Sequence, residues 1–495
     1  MSLIDALVRW LIPDPKDRKA PAAARKKPEY RATARPSLTP SSAAAATIAV
    51  LIADFDGPDG DKFAENLAAS IGEISGLSLF RQKEALRLVG TAGLAEKLAQ
   101  AADLGAGWLQ DAPADLLVWG EISAETGLAT LRLLPAQGEP DGTVGAFCLG
   151  DYFEFPSSGG EFDRVAMATI LAAAVRGRAA AKDAAIEALR RLLAEMPDPS
   201  AVPAAGQPPA TVATLQLGLG HAFAADVRCG GNPAQLHRTL AFYRAATEQV
   251  AALANPLLWA QAQNHLATAL TALAKNEHNP ALLNEAVAVY RTMAETLSRT
   301  THPNDWALAQ ARLGSVLTRL GQMGGKTKDF RDAAMAYEQA LTVFNQTLHP
   351  ARWSEVMHQY GTMLTTLGEY MTGTAALEQA VTIFRKCLAA RPREILPLFW
   401  AQSASGLGVA AFALAKRNND GALLREAVGC FEGALEVYGA HGQGQALAVL
   451  QKNLQRAQRL LETRGDMLAD DVAPKGAEAA PAAGKIAASA AAKKK

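Results

Sequence analysis

Cysteine is scarce in this chain. The four, Cys148, Cys229, Cys387 and Cys430 of 495 residues, lie far apart, with no CxxC pair and no histidine at ligand spacing. That excludes a disulfide-stapled scaffold and a zinc finger, and it reads the thiols as small buried hydrophobes of a reducing compartment. Aromatics make up only 6% of the sequence, and net charge is missing altogether, since 49 basic residues balance 49 acidic ones. No global field therefore recruits nucleic acid, and none is expected as a partner. Long apolar runs are absent as well. Ala43 to Ala53 falls well short of the roughly 20 residues that span a bilayer, and MSLIDALVRWLIPDP is interrupted by Asp5, Arg9 and Pro13, unlike a signal peptide. A cytoplasmic protein is expected. GxxxxGK[ST], GxSxG and HExxH are lacking too, and the histidines are dispersed, so no catalytic residue, metal or cofactor is anticipated.

What is present is alanine, and a hydrophobic fraction of 49% suited to helices packed through small side chains. Residues 2–12 form an amphipathic segment with Leu3, Leu7, Trp10 and Leu11 on one side, followed to residue 46 by a basic Pro/Ala/Ser-rich tether. Residues 2–35 could touch an anionic membrane face, which would make the protein peripheral to the inner surface; a solvated tether is the competing reading. From 47 to 195 strands and helices alternate. TIAVLIADF reads as a buried strand, 61–74 as a helix, LSLF as a strand and 92–104 as a helix. A hairpin turns at Glu125-Thr126-Gly127, a strand covers 145–155 and one long helix covers 162–195. The fold class is thus a small α/β domain with a mixed sheet, then a helical array. Residues 196–208 (PDPSAVPAAGQPP and its neighbours) are a linker, 444–466 a capping helix and 467–495 an Ala/Lys tail.

The strongest signal is a repeat. Trp259, Trp306, Trp353 and Trp400 are 47 residues apart, and so are Pro256, Pro303, Pro350 and Pro397. The same step links Tyr243, Tyr290, Tyr337, Phe384 and Phe431, and also Gly220, Ala267, Gly314, Gly361 and Gly408. Five units follow, 209–255, 256–302, 303–349, 350–396 and 397–443, the first degenerate because Val212 replaces the tryptophan. Each unit reads as a helix hairpin opened by a proline, whose missing N–H costs nothing at a helix start. A single hairpin cannot bury its own apolar stripe, so neighbours are expected to stack. The tryptophans are assigned to packing.

Leu313-Gly314, Leu317, Ala333, Tyr337 and Ala340 resemble the tetratricopeptide repeat signature, drawn out from its usual 34 residues. The resemblance implies a superhelix whose concave groove, lined by first helices, holds a peptide or helix of a protein partner. Transferred to this sequence, the groove positions are His221, Asn264, Thr268, Thr271, Ser315, Thr318, Arg319, His358, Thr362 and Thr365. They lack the basic cluster that captures acidic C-terminal peptides in one subgroup. Upstream, IAVLIADFDGPDGDKFAENLAASIGEISGLSLF resembles the opening of the TolB amino-terminal-like domain, which implies a binding or assembly module.

Asp54-Phe55-Asp56-Gly57 permits sharper readings. A strand ending in DxDG resembles the first motif of haloacid-dehalogenase-type phosphatases, and the acids at 54, 56, 59, 61 and 65 have oxygens suited to calcium. No matching lysine with an acidic metal pair follows; Pro58 departs from the phosphatase motif, and Pro58 and Asp59 stand where a calcium loop needs an oxygen ligand and a glycine. A helix-capping turn is the simpler reading. The expectation is a non-enzymatic adaptor; the alternative is a phosphatase-like or metal-dependent activity at Asp54/Asp56, targeted by the repeats.

Overall fold

A computed structural model describes residues 47–91, 93–112, 114–136, 142–157, 162–175, 182–199, 206–250, 254–442 and 444–463. The amphipathic segment at 2–12, the tether to residue 46, the tail beyond 466 and part of the 196–208 linker lie outside them.

The sheet has five strands, β1 (Ile48–Asp54), β2 (Leu77–Ala85), β3 (Leu116–Ile122), β4 (Leu128–Pro135) and β5 (Phe153–Pro156), in the order β2-β1-β3-β4-β5. β1 runs parallel to β2 and β3, while β4 is antiparallel to β3 and β5. Parallel neighbours need crossovers, and helices α1 (Gly60–Gly72) and α2 (Leu94–Asp111) supply them. β1 shows why the sheet is covered on both sides. Its alternate residues Ile48, Val50 and Ile52 join one apolar cluster with Ala64 and Ile71 of α1, and Ala49, Leu51 and Ala53 join another with Leu98, Ala102 and Trp108 of α2.

Several expected boundaries move. β2 extends well past LSLF, and α2 runs on through the 106–111 stretch, so that Trp108 and Leu109 cover the sheet. The expected strand from 145 to 155 is reduced to β5, because residues 142–152 leave the sheet and lie against the helices that follow. The single helix expected over 162–195 is two, α3 (Phe162–Ala174) and α4 (Lys182–Ala194).

The helical region begins at Pro209. Its members are α5 (Pro209–Arg228), α6 (Gln235–Gln249), α7 (Pro256–Glu277), α8 (Pro280–Thr296), α9 (Pro303–Gly324), α10 (Thr327–Leu341), α11 (Pro350–Tyr370), α12 (Ala375–Ala390), α13 (Pro397–Asn418), α14 (Gly421–Ala440) and α15 (Gly444–Thr463). All five prolines of the 47-residue register are helix first residues. Each helix packs on the next, and the odd-numbered first helices also touch one another from α5 through α13. The repeated glycine and aromatic share one contact: a Cβ on Gly220, Gly314, Gly361 or Gly408 would lie 2.3, 2.9, 3.0 or 2.6 Å from the ring of Tyr243, Tyr337, Phe384 or Phe431. The glycine lets the second helix of the hairpin press its ring against the first helix's backbone.

The hairpin turn is also in register. His278, Gly325 and Asn419, one or two steps of 47 apart, are all left-handed C-caps, the conformation that ends a helix by redirecting its last carbonyls. Among the described residues one helix, α13, is long and apolar enough to span a membrane by length and composition, although no such run was expected; half of its apolar window is buried here. It packs between α12 and α14 as a core helix.

The two regions share one core. α5 is buried continuously from Thr211 to Asp226, because α3 and β5 cover one side and α6 the other. Its threonines complete the sheet edge: the Glu154 N–H donates to Thr214 Oγ1 at 3.0 Å, and Thr211 Oγ1 donates to the Glu154 carboxylate at 2.7 Å. Val212, which stands where the other units carry tryptophan, is 3% exposed on this covered helix.

Candidate functional site at the junction of sheet and hairpins

The residues expected to form a groove divide into two groups. His221, Thr268, Thr318 and Thr365 are buried, and so are not available to line a groove. The three threonine hydroxyls donate to the carbonyls of Asn264, Gly314 and Gly361, one helical turn earlier. Asn264, Thr271, Arg319 and His358 are half-buried, and only Ser315 and Thr362 are exposed. Asn264 accepts from the Tyr290 hydroxyl at 3.2 Å and Thr271 donates to Ala267 O, so both are engaged within their hairpin. Trp259 and Trp306 are buried and Trp353 and Trp400 half-buried within the helical core.

His221 is covered by the protein itself. The 142–152 segment between β4 and β5 lies along the first helices of the first three hairpins. Val144 O accepts from Arg228 of α5, Gly145 sits against Ala224, and Gly142 reaches Arg312 of α9. At the end of this segment Asp151 enters the helices. Its Oδ1 is 3.2 Å from Nε2 of His265 on α7, and its Oδ2 is 3.5 Å from Nε2 of His221 on α5. All three side chains are buried, at 6%, 4% and 0% exposure, and the ligand atoms lie within 4.8 Å of one another. Phe147 and Phe153 close the sides, with ring centroids 4.7 and 6.0 Å from that of His221.

The local geometry assigns protons. Asp151 Oδ2 accepts from the Cys148 N–H at 2.6 Å, which fixes the carboxylate's orientation. His221 Nδ1 lies 2.6 Å from Leu217 O and 3.1 Å from the Tyr243 hydroxyl. A carbonyl only accepts, so the closer contact requires the proton on Nδ1. Burial, with His265 adding to it, pushes the His221 pKa down to about 4 against the pull of Asp151, so its neutral form is favoured. Burial alone would raise the Asp151 carboxyl, but His265 and His221 outweigh it and hold the group below the usual carboxylate range. Neutral His221 with its proton on Nδ1 therefore presents the Nε2 lone pair to an ionised carboxylate, and Nε2 has no hydrogen-bond partner.

Sequence reasoning missed Asp151 and His265. They stand 70 residues before and 44 residues after His221, spacings that match no ligand motif. The clue was in the repeat itself: the register position of His265 is Gly218, Arg312, Gln359 and Gly406 in the other units, so a histidine there is particular to the second.

The Asp54/Asp56 turn is engaged differently. Asp54 pairs with Arg81 at 2.5 Å and Asp56 with Arg87 at 3.1 Å, so the ion-pair partners of both carboxylates among the described residues are arginines. Asp59 occupies the N-cap of α1 at φ 53°, but its side chain pairs with Lys62 at 2.6 Å and makes no cap hydrogen bond. The turn is held by backbone instead. A Cβ at Gly60 would meet Phe55 O at 1.9 Å, a position only glycine fills.

No family model matches the sequence, and no curated protein matches it. Among solved structures the chain is similar to BtubC (BKLC) from P. vanneervenii, at 16% identity over 51% of this chain and 99% of that one, with a TM-score of 0.29. No functional inference rests on that likeness.

Proposed function

We propose that this chain is a non-enzymatic scaffold of the tetratricopeptide-repeat type, preceded by a TolB-amino-terminal-like module, and that it holds a peptide or helix of a protein partner on the first-helix face of its third to fifth hairpins. The supporting observation is the change in exposure along one register. His221 and Thr268 are buried, whereas Ser315 and Thr362, one and two steps further on, are exposed. Around them Arg319, Gln322, Gln359 and Thr366 give a surface of hydroxyls and amides with little net charge, suited to a polar backbone in extended or helical form. α11 and α13 are held in register by Arg391, 2% exposed, which donates to Ser354 Oγ at 3.2 Å, Ser403 Oγ at 2.9 Å and Glu355 Oε2 at 3.1 Å. A rigid first-helix face lowers the ordering cost of binding.

The test is position-specific photocrosslinking in cells, with a crosslinking residue placed at Ser315 or Thr362 and, as control, at Met335 on the exposed side of α10. A common partner captured from 315 and 362 but not from 335 is the expected result. Equal capture from 335, or capture from neither groove position, removes the groove reading.

A further inference from the structure

We propose that Asp151, His221 and His265 bind a divalent transition cation, Zn2+ foremost, which ties the 142–152 segment of the α/β domain to the first two hairpins. Three independent features point there. The first is a buried nitrogen: His221 Nε2 is fully buried with no partner in hydrogen-bond geometry, and Asp151 Oδ2 lies 3.5 Å from it. A cation between them would be coordinated by both. The second is proximity. The two imidazole nitrogens reach the two oxygens of one carboxylate, His265 Nε2 at 3.2 Å from Oδ1 and His221 Nε2 at 3.5 Å from Oδ2, and one ligand atom from each residue lies within 4.8 Å of the others, close enough for small shifts to bring all three onto one ion. The third is orientation. His221 Nδ1 donates to Leu217 O and Asp151 Oδ2 accepts from the Cys148 N–H, the kind of outer hydrogen bonds that aim metal ligands.

Two imidazole nitrogens with one carboxylate favour zinc-like ions over Mg2+ or Ca2+, which prefer oxygen ligands alone. Three protein ligands leave one tetrahedral position, which a trapped water would fill. Complete burial withholds the ion from any substrate and makes its role structural: it fastens the segment over the first-helix face and confines the open face to the later hairpins.

The test uses the full-length chain without an affinity tag. The native protein is expected to carry one zinc per chain through dialysis. After chelation and refilling with Co2+ it should show the visible absorption bands of a four-coordinate site. Its melting temperature should fall on chelation and rise again with added Zn2+ in a concentration-dependent way. Asp151→Asn and His265→Gln, checked for native far-UV circular dichroism, should each lose the ion. If either variant does not fold, the chelation and cobalt measurements on the native chain still decide. Three results would overturn the assignment: a chelated native chain that keeps its fold and takes up neither Zn2+ nor Co2+, His265→Gln retaining full zinc, or a ring 15N spectrum of the zinc-refilled chain showing His221 as an imidazolium, with a proton where the cation is proposed. Crosslinking from Ser315 does not depend on these outcomes, so the scaffold reading and the metal reading fail separately.

Discussion

The first two hairpins and the last three are built from one 47-residue pattern, yet they meet opposite surroundings. In one register the residues are Gly218, His265, Arg312, Gln359 and Gly406; in another they are His221, Thr268, Ser315, Thr362 and Val409. The early members are buried and the later ones half-buried or exposed. A Cβ at Gly218 would lie 2.6 Å from Thr169 Oγ1 of α3 and 3.2 Å from the Phe153 ring, because the α/β domain is pressed onto that face. Repetition therefore sets each hairpin's internal contacts, while neighbours outside the repeat decide which face remains available. The difference between the halves comes from the covering domain, and it should disappear if the cover is loosened.

The largest expected effect follows from that. Phe153, 1% exposed, is the sheet residue packed on α5, and Phe153→Ala should cost about 3–5 kcal/mol through lost burial and a residual cavity. Hydrogen exchange should rise in β5 and α5 together while α11 to α14 stay protected. Protection that falls uniformly along the array, or only in the sheet, would contradict a shared core. Next comes a matched pair of glycines. The Gly220 Cβ would lie 2.3 Å from the Tyr243 ring and that of Gly361 3.0 Å from the Phe384 ring, so Gly220→Ala should lose about 1–3 kcal/mol and Gly361→Ala clearly less. Urea midpoints at constant slope measure both; equal losses would mean that the covered hairpin relaxes as freely as the open one.

A pH effect belongs to the open half. Burial, and then the Arg391 charge, push the His358 pKa down to about 4, while Glu355 opposes. The unfolded chain therefore takes up the proton first as pH falls. The stability that neutral His358 contributes is present above about 6.5 and is lost as pH falls toward about 4, at no more than about 1.4 kcal/mol per unit. The difference in stability between the native chain and His358→Gln should change across that window and be flat above it. A constant difference from pH 7 to 4 would show that His358 does not titrate on unfolding.

Much of the array was legible because its signals are local. Prolines at helix starts, glycines facing aromatic rings and left-handed C-caps act within a few residues or one hairpin; the prolines recur at all five steps of 47, the glycines at four and the left-handed caps at three. The covered face was not legible, because it depends on contacts between residues 60 to 170 positions apart, such as Glu154 with Thr214 and Gly142 with Arg312. The strand expected over 145–155 failed for the same reason: only Phe153–Pro156 pairs in the sheet, while Phe147 and Asp151 ahead of it pack against His221 and His265 of the helices. The transferred groove positions failed at Thr268, Thr318 and Thr365, where the hydroxyl can be satisfied inside its own helix, an option that register alone does not reveal.

The smallest expected effect is the most discriminating control, because it lies on the second helices, away from the first-helix face that the α/β domain covers. Arg244 meets Glu285 at 2.7 Å, and Arg385 meets Glu426 at 2.6 Å. These second-helix pairs are three repeat steps apart, and one step after the first Arg291 approaches Asp332 at 3.8 Å. The first two pairs are 30–53% exposed, so solvent screens them and each should contribute less than about 1 kcal/mol, falling further with added salt. Double-mutant cycles on Arg244/Glu285 and Arg385/Glu426 should return the same small coupling within about 0.5 kcal/mol. Equality here, beside inequality at Gly220 and Gly361, would locate the asymmetry on the first-helix face. A much larger coupling at Arg244 would show that the covering domain stiffens the early hairpins through to their far side, and the array would then have to be treated as two mechanical units.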